Sequence, residues 1–115
     1  MRIEIRGRNI EIEPNLRSHI ERRLQSAMDR FAPGIEWLTL RVEDINGPRG
    51  GNDKRCSIEV DLVHSRSVMI EELDSDPYTA ATRAVDRAER SVARQLRRKL
   101  SARTRGTGKA QSKEV

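Results

Sequence analysis

One stretch, "DPYTAATRAVDRAERSVARQLRRKL" from Asp76 to Leu100, limits this chain more than any other. Tyr78, Ala81, Val85, Ala88, Val92, Leu96 and Leu100 recur every three or four residues, which predicts one long helix with a single apolar stripe. Asp76 is placed to cap it and Pro77 to fill its first position, where a missing N–H costs nothing. Such a helix must bury its stripe on something else in the chain, so the remaining residues have to supply a flat apolar surface.

They do so as short alternating segments. Ile3 and Ile5 alternate with Arg2, Glu4 and Arg6, and Leu38, Leu40 and Val42 with Thr39, Arg41 and Glu43. Cys56, Ile58, Val60 and Leu62 alternate with Ser57, Glu59 and Asp61, and Val68 and Ile70 with Met69 and Glu71. Each reads as a strand with one buried face. Between the first two strands, Leu16, Ile20, Leu24, Ala27, Met28 and Phe31 fall at helical spacing, predicting a helix over 15–31 that starts near Pro14 and is stopped by "APG". The order is β-α-β-β-β-α. Its simplest closure is an α+β two-layer sandwich, a four-stranded sheet with both helices on one face. The expected organisation is one domain over 1–100 and a disordered basic tail over 101–115, where "SARTRGTGKAQSKEV" has almost nothing to bury.

Charge then separates the two faces of the long helix. Residues 1–75 carry 12 basic and 14 acidic side chains; residues 76–115 carry 11 and 4. The net charge of +5 therefore lies wholly in the last third, which points to a polyanionic partner, nucleic acid before anionic membrane. On a helical projection Arg83, Arg87, Arg90, Arg94, Arg97 and Arg98 form a band opposite the apolar stripe, with Asp86 and Glu89 on its flank. A charged run is ordinarily a solvated face held by i,i+4 pairs. Here Asp86 can serve Arg90 or Arg83, but Arg94, Arg97 and Arg98 have no acidic residue three or four positions away. The first helix is lopsided in the same sense, with His19, Arg22, Arg23 and Arg30 along one edge. Arginine rather than lysine dominates, the long helix having one lysine, Lys99, before the tail; the planar fork of arginine suits phosphate oxygens. With Phe31, Trp37 and Tyr78 the only aromatics, the chain is better suited to folded RNA than to a single strand that needs stacking platforms.

Other chemistries find little footing. "NGPRGGND", residues 46–53, lacks the spacing and Lys-Ser/Thr pair of a phosphate loop and is expected to be a hairpin connection, with Arg49, Lys54 and Arg55 at its rim. Cys56 lies on a core-facing strand position, and with only His19 and His64 besides, no metal cluster assembles. Glu43–Asp44 and Glu71–Glu72 are strand neighbours whose side chains point to opposite faces. No nucleophile–base set emerges, so no enzyme, cofactor or small-molecule substrate is expected. A lone cysteine and the lack of a long apolar run suit the cytoplasm; no membrane contact is expected, because the apolar stripe is already committed to the sheet.

"IEIRGRNIEIEPNLRSHIERRL", "MDRFAPGIEWLTLRVED" and "DSDPYTAATRAVDRAERSVARQL" resemble the hibernation-promoting factor and ribosome-associated inhibitor family over about Met1 to Leu100. The "GRN" turn and the opening of the long helix carry most of the resemblance; Pro77 and Thr82 stand where that family usually has Met and Asp. The resemblance implies the same β-α-β-β-β-α fold. It also implies binding to rRNA of the small ribosomal subunit, in the channel used by mRNA and tRNA, through the basic faces of both helices. The implied outcome is silencing of ribosomes in stress. Carried over by position, the RNA contacts are Arg22, Arg23 and Arg30 on the first helix and Arg83, Arg87, Arg90 and Arg94 on the second, with Arg97 and Arg98 extending them. The tail is too short for the second domain of the long family forms, so the chain is expected to be a monomer off the ribosome and not to pair ribosomes by itself. The alternatives are a general double-stranded RNA- or DNA-binding domain and a basic adaptor that docks on an acidic protein.

Overall fold

The computed structural model describes residues 1–45 and 53–108, with side chains through Arg98. The elements run β1 (Arg2–Arg8), α1 (Pro14–Met28), a 3-10 turn (Asp29–Gly34), β2 (Ile35–Asp44), β3 (Lys54–Leu62), β4 (Val68–Asp74) and α2 (Pro77–Gly108). The strands lie in the order β1-β2-β3-β4. β1 is parallel to β2, a pairing that needs a crossover connection such as the one α1 supplies. The other neighbours are antiparallel, with Leu40 opposite Ile58 and Ile58 opposite Ile70.

That register puts one parity of every strand on the same face. Leu38, Leu40, Val42, Cys56, Ile58, Val60, Val68 and Ile70 are buried there in one cluster with Leu16, Ile20, Leu24 and Met28 of α1 and Ala80, Ala81, Ala84, Val85, Ala88 and Val92 of α2. Both helices therefore share one face of the sheet, and the other face is open. The run of alanines lets α2 lie close against the strands. Cys56 is fully buried, and burial pushes its thiol up to about 12.

Two local expectations are revised. The first helix ends at Met28 rather than Phe31, because the chain tightens into the 3-10 turn that contains Pro33 and Gly34; Pro33 has no N–H with which to continue an α-helical ladder. α2 runs on to Gly108, eight residues into the segment expected to be a disordered tail. Once a helix is nucleated on the core, each further residue adds one hydrogen bond without a new nucleation cost. Residues 109–115 of that segment, and residues 46–52 of the glycine-rich loop with Arg49, lie outside the described residues.

Two turns carry left-handed residues, Asn9 (φ 58°) after β1 and His64 (φ 57°) between β3 and β4. Asparagine tolerates this conformation well, which gives the "GRN" turn its physical basis.

Candidate nucleic-acid interface

The start of α2 is capped by its own side chain. Asp76 accepts the Tyr78 N–H at 3.3 Å and the Thr79 hydroxyl at 2.9 Å, satisfying groups of the first turn.

A polar seam runs between the helices. His19 and Thr82 share a hydrogen bond of 2.9 Å, Arg23 donates to Asp86 at 2.8 Å, and Arg30, just past α1, donates to Glu89 at 2.9 Å. The first two pairs have the same offset of 63 residues, so α1 and α2 run side by side in the same direction. Arg30 also stacks over Phe31, 4.2 Å from the ring centroid. Arg23 is half-buried, and its Nε is the one buried side-chain polar atom without a partner among the described residues. The expected pairing of Asp86 with Arg90 or Arg83 is not formed: Asp86 turns across the seam to α1, where a guanidinium from the packed neighbour reaches it first.

The far flank of α2 is bound to the edge strand. Arg87 donates to Glu72 at 2.5 Å and to the Glu71 carbonyl at 3.0 Å. Arg83 donates to Asp74 and, at 3.2 Å, to the Leu73 carbonyl. β4 is an edge strand, and these two arginines cover outward carbonyls that would otherwise be open to another chain.

The nine sequence-predicted arginines thus divide. Arg23, Arg30, Arg83 and Arg87 are held by the protein's own carboxylates. Arg22, Arg90, Arg94, Arg97 and Arg98 are exposed and form no ion pair among the described residues; Arg94 donates only to the Ser91 hydroxyl, at 3.2 Å. What the sequence projection missed is the counter-charge, Glu72 and Asp74. Its signal was present, since both continue the parity of Val68 and Ile70 and so point toward the helices.

The open sheet face is different in kind. Arg6 pairs with Glu4 and Arg55 with Glu43 at 2.9 Å, and Arg2 lies over the Trp37 ring. Its shallow cavity of about 450 Å³ is lined by Arg41 together with Glu59 and Glu71. Lys54, which begins β3 with the parity of Cys56 and so lies on the helix side, is neutralised by Asp53 at 2.9 Å, and its pKa is raised, chiefly by that hydrogen bond. On the open sheet face Arg2 and Arg41 form no ion pair among the described residues, against Arg22, Arg90, Arg94, Arg97 and Arg98 on the helix side. No group of histidine, cysteine and carboxylate side chains suited to a metal occurs among the described residues, and no helix there is long and apolar enough to cross a membrane.

Residues 3–100 match the family described as Sigma 54 modulation protein / S30EA ribosomal protein. The chain belongs to this family. Among solved structures, the N-terminal domain of Thermus thermophilus Protein Y is 36% identical, with a TM-score of 0.66 over 82% of this chain and 98% of that one. A ribosomal subunit interface protein from Coxiella burnetii has the same fold at 20% identity, with a TM-score of 0.67 over 82% of this chain and 96% of that one. No curated protein matches the chain. As a member of the S30EA family it is placed among ribosome-associated proteins, in agreement with the resemblance seen in the strand-one turn and the long helix.

Proposed function

We propose that this S30EA-family protein is a non-enzymatic translation regulator of the cytoplasm. It binds rRNA of the small ribosomal subunit through the outward face of α1 and α2 and blocks the channel used by mRNA and tRNA. The observation that carries this reading is the set of exposed arginines without carboxylate partners, Arg22, Arg90, Arg94, Arg97 and Arg98, gathered on the one face that the sheet does not use. Guanidinium forks suit phosphate oxygens and folded RNA presents them densely. Membership in a family described as a ribosomal protein supports the ribosome as the source of that RNA. Arg83 and Arg87 border this face and extend it wherever a phosphate competes with their carboxylates, whereas Arg23 and Arg30 stay on the seam with Asp86 and Glu89.

The test is co-sedimentation with purified small subunits across a salt series. Six to eight phosphate contacts give a log–log slope of about −4 to −8; a flat dependence overturns the mechanism. Changing Arg90, Arg94 and Arg98 together to Glu abolishes co-sedimentation and leaves the circular-dichroism spectrum intact. Retained binding removes these residues from the interface. Efficient competition by excess duplex RNA identifies a general RNA-binding domain instead.

A further inference from the structure

Two carboxylates stand inside the positive surface. Asp86 and Glu89 are three residues apart on α2 and so adjacent on its surface. They lie on the seam, between Arg22 and Arg23 of α1 and the outward band of Arg90, Arg94 and Arg97 on α2. Their side chains remain 44% and 29% exposed while paired with Arg23 and Arg30. Exposed pairs of this kind add little to stability, and the helices are already held by the fully buried Ile20, Leu24, Val85 and Ala88 beneath them. As a fastening, then, the carboxylates are largely redundant. As a feature of a polyanion-binding surface they are costly, since each cancels an arginine and repels any phosphate laid over the seam.

We infer that Asp86 and Glu89 are specificity residues: they bar the interhelical seam to phosphate, so that the surface accepts only an RNA whose phosphates straddle it. This rests on the reading of the helix face as an RNA-binding surface. A surface of arginine alone would hold any polyanion. One with a negative line through its middle rejects a backbone that runs along the seam and tolerates one folded so that phosphates meet Arg22 on one side and Arg90, Arg94 and Arg97 on the other. Discrimination of this kind comes from a repulsive element built against the wrong ligand.

The experiment neutralises the line without removing its hydrogen bonds. The Asp86→Asn, Glu89→Gln double variant keeps amide oxygens that still accept from Arg23 and Arg30. Two probes are titrated against wild type and variant: a short mixed-sequence duplex RNA followed by fluorescence anisotropy, and purified small subunits followed by co-sedimentation. Duplex affinity is expected to rise about fivefold or more, with the salt slope steeper by roughly 1 to 2, as for one or two added phosphate contacts. Small-subunit affinity is expected to rise much less, so that the preference for the subunit falls. An equal gain on both probes, or no gain on the duplex, overturns the inference. If the double variant melts early, Glu89→Gln alone is read by the same ratio. Wild type that ignores small subunits defeats the functional reading; the seam is then judged on the duplex, where an unchanged affinity defeats it too.

Discussion

Gly7 sits at the end of β1, where the chain bends through Asn9, and a Cβ placed there meets the Ile10 carbonyl oxygen at 2.5 Å and Ile12 Cγ1 at 3.1 Å. The nearer atom is backbone and cannot swing aside. Gly7→Ala is expected to destabilise the fold by about 1–3 kcal/mol, the usual cost of overpacking, seen as a thermal midpoint lower by several degrees. Cys56 makes a different prediction. Burial holds its thiol near 12 in the folded chain against 9.0 for the unperturbed group. Between those values the unfolded chain gives up its proton and the folded chain keeps it, so the thiol's contribution is complete below pH 9 and is lost as pH rises toward 12. From pH 8.5 to 10.5 the wild type should lose about 2 kcal/mol that Cys56→Ala does not, at about 1.4 kcal/mol per unit above 9. Urea midpoints of both proteins at the two pH values measure the difference, and equal losses would mean the thiol is not shielded. Below pH 9 the same burial keeps Cys56 unreactive toward thiol reagents until the protein unfolds.

At the level of elements, α2 and β4 are joined by charge as well as by apolar packing. Glu72 is only 17% exposed and accepts from Arg87, which also covers the Glu71 carbonyl. Arg87 itself is 48% exposed, so screening reduces the value of the pair. Arg87→Ala and Glu72→Ala should each cost about 1 kcal/mol, and a double-mutant cycle should return a coupling of the same order. On RNA the two kinds of arginine should part company. Arg90→Ala makes the salt slope shallower by about 0.7–0.9, as for one lost phosphate contact, whereas Arg87→Ala changes it much less. Equal slope changes would show that the Glu72 pair opens when RNA binds. This division was only half legible in the sequence. Projection of α2 alone located its outward band correctly, because the stripe from Tyr78 to Leu96 fixes the helix's rotation. It could not show what flanks the band, since Glu72, Asp74 and the edge of α1 come from elements far away in the chain. The parity of β4 did place Glu72 and Asp74 toward the helices, but only the fold brings them to Arg87 and Arg83. The partner of Asp86 was misread for the same reason: local spacing favours Arg90, and packing supplies Arg23.

For the whole molecule, the core and the charge occupy different lengths of the chain. Among the residues whose side chains are described, Val92 is the last fully buried one of α2, and Leu96, partly buried beside Gly34, is the last to pack against the core. α2 nonetheless continues to Gly108, so its 32 residues span about 48 Å at 1.5 Å per residue, well past the sheet that organises it. Sequence patterning marks the end of burial near Leu100 because the apolar period stops there; it cannot mark the end of the helix, since backbone hydrogen bonds need no apolar partner once the helix is established. Beyond Leu100 the chain carries Arg103, Arg105, Lys109 and Lys113 against a single Glu114. Removal of 101–115 should therefore separate folding from binding. The thermal midpoint should stay within about 2 °C of the full chain, well inside the shift that 1 kcal/mol produces in a domain of this size. The salt slope for RNA should become shallower by roughly 2 to 3, the counterions released by three or four cations. A midpoint that drops by many degrees would mean that the last turns of α2 brace the domain. A slope that does not move would confine the electrostatic contact to the arginines between Arg22 and Arg98.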